Sequence, residues 1–162
     1  MRTLHHKIKP LPALLRALRR ARAQGRRVVF TNGCFDLVHA GHARLLERAK
    51  RLGDVLVVGL NSDQSVRALK GRRRPIIGQQ DRALLLAALE SVDYVTVFQE
   101  RTPHRLIARL RPDILIKGAD WDARHIVGRQ VVEAAGGRVV RLPLLKGRST
   151  SNLISRIQRR GG

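Results

Sequence analysis

Six consecutive residues, Val55-Leu56-Val57-Val58-Gly59-Leu60, carry no polar side chain. A strand points successive side chains to opposite faces, so a run that is apolar at every position needs cover on both. A sheet with one wet face would read as strict alternation instead. The segment therefore belongs inside a parallel sheet flanked by helices. The rest of the chain keeps to this scheme. Short apolar runs at Val28-Val29-Phe30, Tyr94 to Phe98, Ile114-Leu115-Ile116 and Val139 to Leu142 alternate with stretches of helical spacing. Those stretches run from Leu11 to Gln24, Ala43 to Leu52, Ser65 to Leu69, Asp81 to Glu90, Thr102 to Leu110, Ile126 to Ala135 and Thr150 to Gln158. Gly25 and Gly136-Gly137 are expected to stop two helices, and Thr102 and Ser149 to cap two others, with Pro103 in the first turn. Lys70 to Gly78 reads as a basic loop. The alternation predicts a doubly wound α/β sheet of about five parallel strands. Residues 1–24 are expected to form a basic leader and an N-terminal helix packed on one domain spanning 25–162.

Composition narrows the class. A chain of 162 residues, 43% of them hydrophobic, suits one compact domain with a real core. The single cysteine, Cys34, excludes an intrachain disulfide. No apolar run approaches the ~18 residues of a membrane span, and the Leu-rich N-terminal stretch is broken by Arg and lacks a small-residue cleavage site. A cytoplasmic location is expected. The formal charge is +21, from 33 basic and 12 acidic residues, and much of it sits at the ends. Residues 1–35 carry nine basic groups and no acid; residues 134–162 carry seven and no acid. Such a surplus points to polyanions: nucleic acid, an anionic membrane or phosphorylated small molecules. Nucleic acid is disfavoured, because Phe30, Tyr94 and Phe98 fall on strands and leave no stacking platform, and no helix-turn-helix or zinc-finger spacing occurs. An interfacial membrane helix over Leu11 to Gln24 is disfavoured because its apolar stripe has the width expected for packing on the sheet.

In a doubly wound sheet, ligands sit beyond the carboxyl ends of the strands. The residues that follow each strand are polar: Thr31-Asn32-Gly33, Asn61-Ser62-Asp63, Gln99-Glu100, Lys117-Gly118-Ala119-Asp120, and Lys146 to Ser149. The segment from Thr31 to His42 joins the first strand to the first long helix behind it. Gly33 permits close backbone approach. His39 and His42 lie three apart at a helix start, with Gly41 between them. Helix N-termini favour phosphate, and imidazoles there can donate hydrogen bonds to its oxygens. The plainer alternative is that the two rings cap and solvate the helix.

His39-Ala40-Gly41-His42 matches the His-x-Gly-His signature, and by it the chain resembles the cytidylyltransferase-like nucleotidyltransferases. These transfer a nucleoside monophosphate from a triphosphate to a phosphorylated acceptor. The surrounding motifs are Thr31 to His42, Val57 to Asp63, Lys70-Gly71 with Arg74-Pro75-Ile76, Ser91 to Val95, Thr102-Pro103, Arg111-Pro112-Asp113 with Lys117-Gly118, Gly136-Gly137 and Ser149-Thr150-Ser151. Over residues 7–158 they are similar to the D-glycero-β-D-manno-heptose 1-phosphate adenylyltransferase branch. The resemblance implies a Rossmann-like three-layer sandwich and transfer of AMP from ATP to heptose 1-phosphate, giving ADP-heptose and pyrophosphate for lipopolysaccharide core synthesis. A sister reading is CTP with glycerol 3-phosphate; the stretch from Thr102 to Gly137 favours the heptose branch.

The resemblance assigns catalytic roles to His39, His42, Lys70 and Lys117. It assigns nucleotide contacts to Thr31, Asn32, Gly33, Cys34, Phe35, Asp36, Gly41, Asn61, Asp63, Arg74, Gly118, Asp120, Ser149 and Thr150. Asp36 would orient the histidine loop or water around magnesium. Mg²⁺ would be carried mainly by ATP phosphates, with no protein metal cluster. Lys70 and Arg74 are read as phosphate contacts or as part of a solvated charge run, Arg72 and Arg73 as surface charges. Arg82 would serve the acceptor phosphate or lie on the surface; Trp121 would line the pocket or pack. Ser149 and Thr150 would cradle phosphate or simply cap. Cys34 is expected to be a small loop residue, not a nucleophile, His104 and His125 surface residues, and His5 and His6 part of a flexible leader. The implied partners are ATP and a sugar 1-phosphate, without nucleic acid or stable membrane insertion. A homo-oligomer is allowed, and a separate kinase and phosphatase would act in the same pathway. In many bacteria this branch forms the C-terminal half of a bifunctional ADP-heptose synthase; a kinase domain is not expected within these 162 residues.

Overall fold

The apolar run becomes β2 (Val55–Asn61), buried along its whole length. The computed structural model describes residues 3–119, 122, 125–145 and 150–160. Within them β1 (Val28–Gly33), β2, β3 (Tyr94–Phe98), β4 (Ile114–Gly118) and β5 (Arg138–Leu142) form one parallel sheet in the order β3-β2-β1-β4-β5. The helices are α1 (Leu11–Ala23), α2 (Ala40–Lys50), α3 (Asp63–Lys70), α4 (Gln79–Ala88), α5 (His104–Leu110), α6 (Arg129–Ala134) and α7 (Thr150–Arg160). This is the Rossmann-like sandwich that the alternation predicts.

Strand periodicity assigns the two layers. Phe30, Val55, Val57 and Leu115 pack against Leu14 and Leu18 of α1, Leu106 and Leu110 of α5, and Val132 of α6. The intervening Val29, Leu56, Val58 and Ile116 pack against Leu46 and Ala49 of α2 and Leu86 and Ala87 of α4. Each such side chain contributes roughly 1.5–3 kcal/mol on full burial. Gly59 interrupts the large residues because the Phe30 ring crosses it: a Cβ there would stand 2.7 Å from Phe30 Cζ.

The leader closes one sheet edge. Lys9 N–H donates to the Val95 carbonyl and Val95 N–H to the Lys7 carbonyl, each at 2.9 Å, so Ile8 lies alongside β3. Covering an edge in this way removes a template for unwanted pairing. His5 and His6, expected in a flexible leader, instead lie in an ordered 3-10 turn, Leu4–His6. His104 and His125 are exposed, as expected.

Several boundaries differ from the sequence reading. α2 starts at Ala40, not Ala43, because His39 caps it. α5 starts at His104 with Pro103 at the cap position and no side-chain cap, so Thr102 does not play that part. α6 is shorter than expected, because Gly128 (φ 88°) breaks the chain before Arg129. A Cβ at Gly128 would sit 2.5 Å from Ile107 Cδ1. The proposed Ser149 cap lies outside the described residues.

The topology opens a crevice. β1 pairs with β2 over six residues, but its ladder with β4 covers only Val29 and Phe30 against Ile114 and Leu115. Here the strand order reverses, which is where doubly wound sheets take ligands. One buried charge organises the neighbouring rim. Arg82 on α4 is fully buried. Its Nη1 donates to the carbonyls of Cys34 at 2.6 Å and Asn61 at 2.9 Å, its Nε to the Ile77 carbonyl at 2.9 Å, and its Nη2 to Asp63 Oδ1 at 2.7 Å. Both sequence readings of Arg82, acceptor contact or surface charge, are thereby corrected: every arm of the guanidinium is spent inside the protein. Arg82→Met should lower stability by about 3–5 kcal/mol, since it strands Asp63 and three carbonyls. Urea unfolding with an unchanged slope measures this; a loss under about 1 kcal/mol would remove Arg82 from the framework.

Candidate functional site

The site is built where β1 gives way to α2. After Gly33 the backbone turns through Phe35, whose φ of 45° is left-handed. Such a conformation costs a bulky residue about 1–3 kcal/mol. The turn folds the Phe35 ring back over Gly33, where a Cβ would meet it at 3.0 Å. The Phe35 ring also supports His42, with centroids 5.0 Å apart. His39 is the N-cap of α2, with Nδ1 accepting from Gly41 N–H at 3.1 Å. In neutral His39 the proton therefore sits on Nε2. The His39 and His42 rings stack, with centroids 3.8 Å apart and an interplanar angle of 23°. The plainer reading of the pair, a cap, thus holds for His39, while His42 adds a second imidazole to the same helix N-terminus.

His42 is an uncharged group at neutral pH. Burial, followed by the charges of His39 and Lys70, lowers its pKa to about 4, against a smaller pull from the Leu37 carbonyl. Its buried Nδ1 has no hydrogen-bond partner.

His42, with His39 stacked on it, lines a cleft of about 530 Å³ at the β1/β4 switch; His39 itself is not among the lining residues. Thr31, Asn32, Gly33, Cys34 and Phe35 line its base. Lys117, Gly118, Val127, Leu144 and Thr150 line the β4 side; Asn61, Leu69, Lys70, Arg101, Thr102 and Pro103 line the other. Lys117 Nζ donates to Asn32 Oδ1 across the gap between the strands. Thr31 Oγ1 donates to the Ile116 carbonyl at 3.3 Å. Burial lowers the Lys117 pKa to about 8. Burial also raises the Cys34 thiol, the influence of Lys70 and Arg82 notwithstanding, which fits a loop residue better than a nucleophile.

Asp36 lines the cleft but has its own work. It accepts from Arg74 Nε at 2.5 Å, Ile76 N–H at 2.7 Å and Ile77 N–H at 3.1 Å. Burial alone would raise its pKa; the donors Ile77, Arg74 and Ile76 outweigh that and hold the carboxyl below its usual value. Asp36 therefore ties the histidine loop, to which it belongs, to the loop after α3. Arg74 is drawn to Asp36 and does not line the cleft, although its buried Nη2 lacks a partner. Asp63 is paired with Arg82 and faces a separate pocket. Asn61 lines the cleft while its Nδ2 donates to Ser65 Oγ at 2.9 Å. Gly41 lies within α2, its N–H given to His39. Arg72 and Arg73 are exposed, as expected. Asp120, Trp121, Lys146 and Ser149 lie outside the described residues.

Gln99 and Glu100, expected at the site, border instead a larger groove of about 1100 Å³ beside β3 and α5. That groove lacks the histidine pair and the strand switch, so the smaller cleft is the better candidate. Arg101, Leu45, Leu69, Val127 and Leu144 line the cleft and escaped the sequence reading. Only Arg101 carried a usable signal, a cation just past the polar pair that ends β3. Among the described residues no group of three His, Cys, Asp or Glu side chains could hold a metal. The arrangement offers neutral imidazoles, cations and backbone N–H groups, a set for positioning phosphates and neutralising their charge.

The cytidylyltransferase-like family model matches residues 30–142. The chain is 54% identical over 151 residues to the bifunctional protein HldE of Geobacter sulfurreducens, covering 93% of this chain and 31% of that protein. It is 53% identical over 154 residues to the bifunctional protein HldE of Pelobacter propionicus, covering 95% and 32%. The chain thus spans about a third of the length of these curated relatives. The crystal structure of the lipopolysaccharide core biosynthesis protein from Thermoplasma volcanium aligns with a TM-score of 0.65 at 28% identity, over 75% of this chain and all of that one.

The histidine pair makes a pH prediction. His42 is depressed in the fold relative to about 6.5 in the unfolded chain, so its contribution to stability is present above that value. It is lost as pH falls from 6.5 through about 4. NMR titration should show the His42 ring neutral at pH 6, and His42→Asn should flatten the acid limb of the stability curve. A midpoint near 6.5 would contradict the packing described.

Proposed function

This chain belongs to the cytidylyltransferase-like family, and from that premise we propose that it joins AMP from ATP to D-glycero-β-D-manno-heptose 1-phosphate, giving ADP-heptose and pyrophosphate. The observation that carries the reaction class is the stacked His39–His42 pair at the α2 N-terminus, beside a cation-lined cleft at the strand switch. The acceptor is supported by the match to about a third of the bifunctional HldE proteins and by a structural neighbour named for lipopolysaccharide core synthesis.

The chemistry asks little of the protein beyond position and charge. An oxygen of the sugar phosphate attacks the α-phosphorus of ATP in line; the bond to the bridging oxygen breaks and pyrophosphate leaves. The attacking phosphate is already ionised, so no base is needed. His39 and His42 donate to oxygens on the reacting phosphate chain, and Lys70 and Lys117 neutralise charge. Thr150, at the start of α7, adds a hydroxyl. Among the described residues Asp36 is the acid lining the cleft, and three donors already satisfy it. In this reading magnesium enters with ATP as part of the substrate. A kinase must supply the phosphorylated acceptor.

Pyrophosphate release from ATP, magnesium and heptose 1-phosphate tests the proposal. Turnover of CTP and glycerol 3-phosphate instead would reassign the substrates; no turnover with either pair, together with salt-sensitive nucleic-acid binding, would sink it. His39→Ala and His42→Ala should each lower kcat by about 10²–10³ with an intact circular dichroism spectrum. Lys117, whose pKa burial lowers to about 8, should regain its proton when phosphate binds. ATP affinity should accordingly fall as pH rises through 8, with proton uptake seen by calorimetry in buffers of different ionisation enthalpy. Lys117→Met should abolish that uptake.

A further inference from the structure

The cleft has two unlike sides. On the β4 side Lys117 is tied to Asn32, and beside it lie Gly118, Val127 and Leu144, with the hydroxyl-bearing Thr150. A flat nucleobase suits such a wall. On the β2 and β3 side two cations, Lys70 and Arg101, line the cleft. Arg101 is exposed and, among the described residues, makes no hydrogen bond or ion pair. An arginine held in a cleft without a carboxylate partner is a guanidinium fork available for an oxyanion. It follows β3, whereas Lys117 ends β4, so the histidine pair beyond β1 stands between them in the sheet order β3-β2-β1-β4-β5. In-line transfer requires the attacking oxygen and the leaving pyrophosphate to lie on opposite sides of the α-phosphorus. The two anions must therefore enter from opposite sides of the histidines.

We propose that Arg101 binds the phosphate of the sugar acceptor, which enters from the β3 side while the nucleotide occupies the β4 side. The proposal rests on the adenylyltransferase reading and adds a sidedness and a residue that neither the motifs nor the family match supplies. Lys70, whose charge is felt by His42, lies nearer the reacting phosphorus, and Arg101 holds the acceptor farther out. Because Arg101 is spent on no internal contact, its replacement leaves the fold intact.

The test is a split between substrates. Arg101→Ala should raise the KM for heptose 1-phosphate by about 10- to 100-fold, the value of a charge-assisted hydrogen bond, with the KM for ATP within about twofold and the melting temperature unchanged. Arg101→Lys should recover part of the loss, and Arg101→Glu should deepen it. A rise in the ATP KM instead, or no change in either, would overturn the assignment. If the wild-type protein does not turn over, the reaction reading fails by itself. Equilibrium binding then decides the residue's role: Arg101→Ala should weaken binding of heptose 1-phosphate, or of inorganic phosphate as its probe, and spare ATP. Equal affinities of wild type and variant for the phosphate probes would refute the proposal.

Discussion

A guanidinium without access to water holds the rim of this site together. Burying an arginine is costly unless its charge is matched and its N–H groups are all received. Asp63 supplies the countercharge, and the carbonyls of Cys34, Asn61 and Ile77 take the remaining bonds. Those partners come from the exit of β1, the end of β2, the start of α3 and the loop before α4. Arg82 thus makes one body of segments that would otherwise move independently. Its hold on the Cys34 carbonyl fixes the turn that puts Phe35 at φ 45°, and the Phe35 ring in turn backs His42. The catalytic geometry proposed here is reached from a buried charge through three consecutive contacts.

The distribution of charge follows a similar logic. The chain carries +21, yet the cleft uses few of its cations. Arg74 is taken by Asp36 and Arg82 by Asp63, so these two ion pairs shape the walls without adding net charge to them. Among the described residues, the charges that line the cavity are Lys70, Arg101 and Lys117, with the carboxylate of Asp36 already satisfied. A net positive cavity of this size favours small polyphosphates over a nucleic-acid backbone, which needs a long exposed track of cations. Among the described residues, the acid-free ends of the sequence contribute Thr31 to Phe35, Leu144 and Thr150 to the cleft, none of them charged.

Much of this was legible in the residues, and what was not has physical reasons. The apolar run at Val55 to Leu60 dictated a doubly covered strand, and the alternation around it dictated the sandwich. The His39-x-Gly41-His42 spacing marks the α2 N-terminus beside the cleft, and Lys117 is readable as a cation at a strand end. The fates of Arg82, Arg74 and Asp36 are not readable, because apart from the Arg82–Ile77 bond they depend on partners 19 to 48 residues away. A lone arginine on a helix looks the same in sequence whether it meets water or three carbonyls. The start of α2 is not legible to the residue, because only the bond between His39 Nδ1 and Gly41 N–H decides that His39 caps the helix. Arg101 is hard to read because β3 is followed by the polar pair Gln99-Glu100, just ahead of it. Asp120 and Ser149 lie outside the described residues, so the sequence reading stands alone there.

The choice of imidazole at the helix N-terminus is itself instructive. A fixed cation there would meet the positive end of the α2 dipole and the nearby Lys70, and would be destabilised by both. Neutral histidines avoid that conflict: His39 Nδ1 accepts from Gly41 N–H and so carries no proton, and burial lowers the pKa of His42 to about 4. The division also suits catalysis. Lysine and arginine charges placed around the cleft bind the ground-state phosphates strongly, which by itself lowers KM without raising kcat. Neutral donors aimed at the reacting phosphorus gain most as charge builds on its oxygens, so their contribution grows toward the transition state. The stack of His39 on His42 reinforces this division, because protonating one ring raises the cost of protonating the other at a centroid distance of 3.8 Å. Holding the pair uncharged is therefore a consequence of how α2 is capped and packed, and it leaves the work of gathering the substrates to cations set farther from the phosphorus.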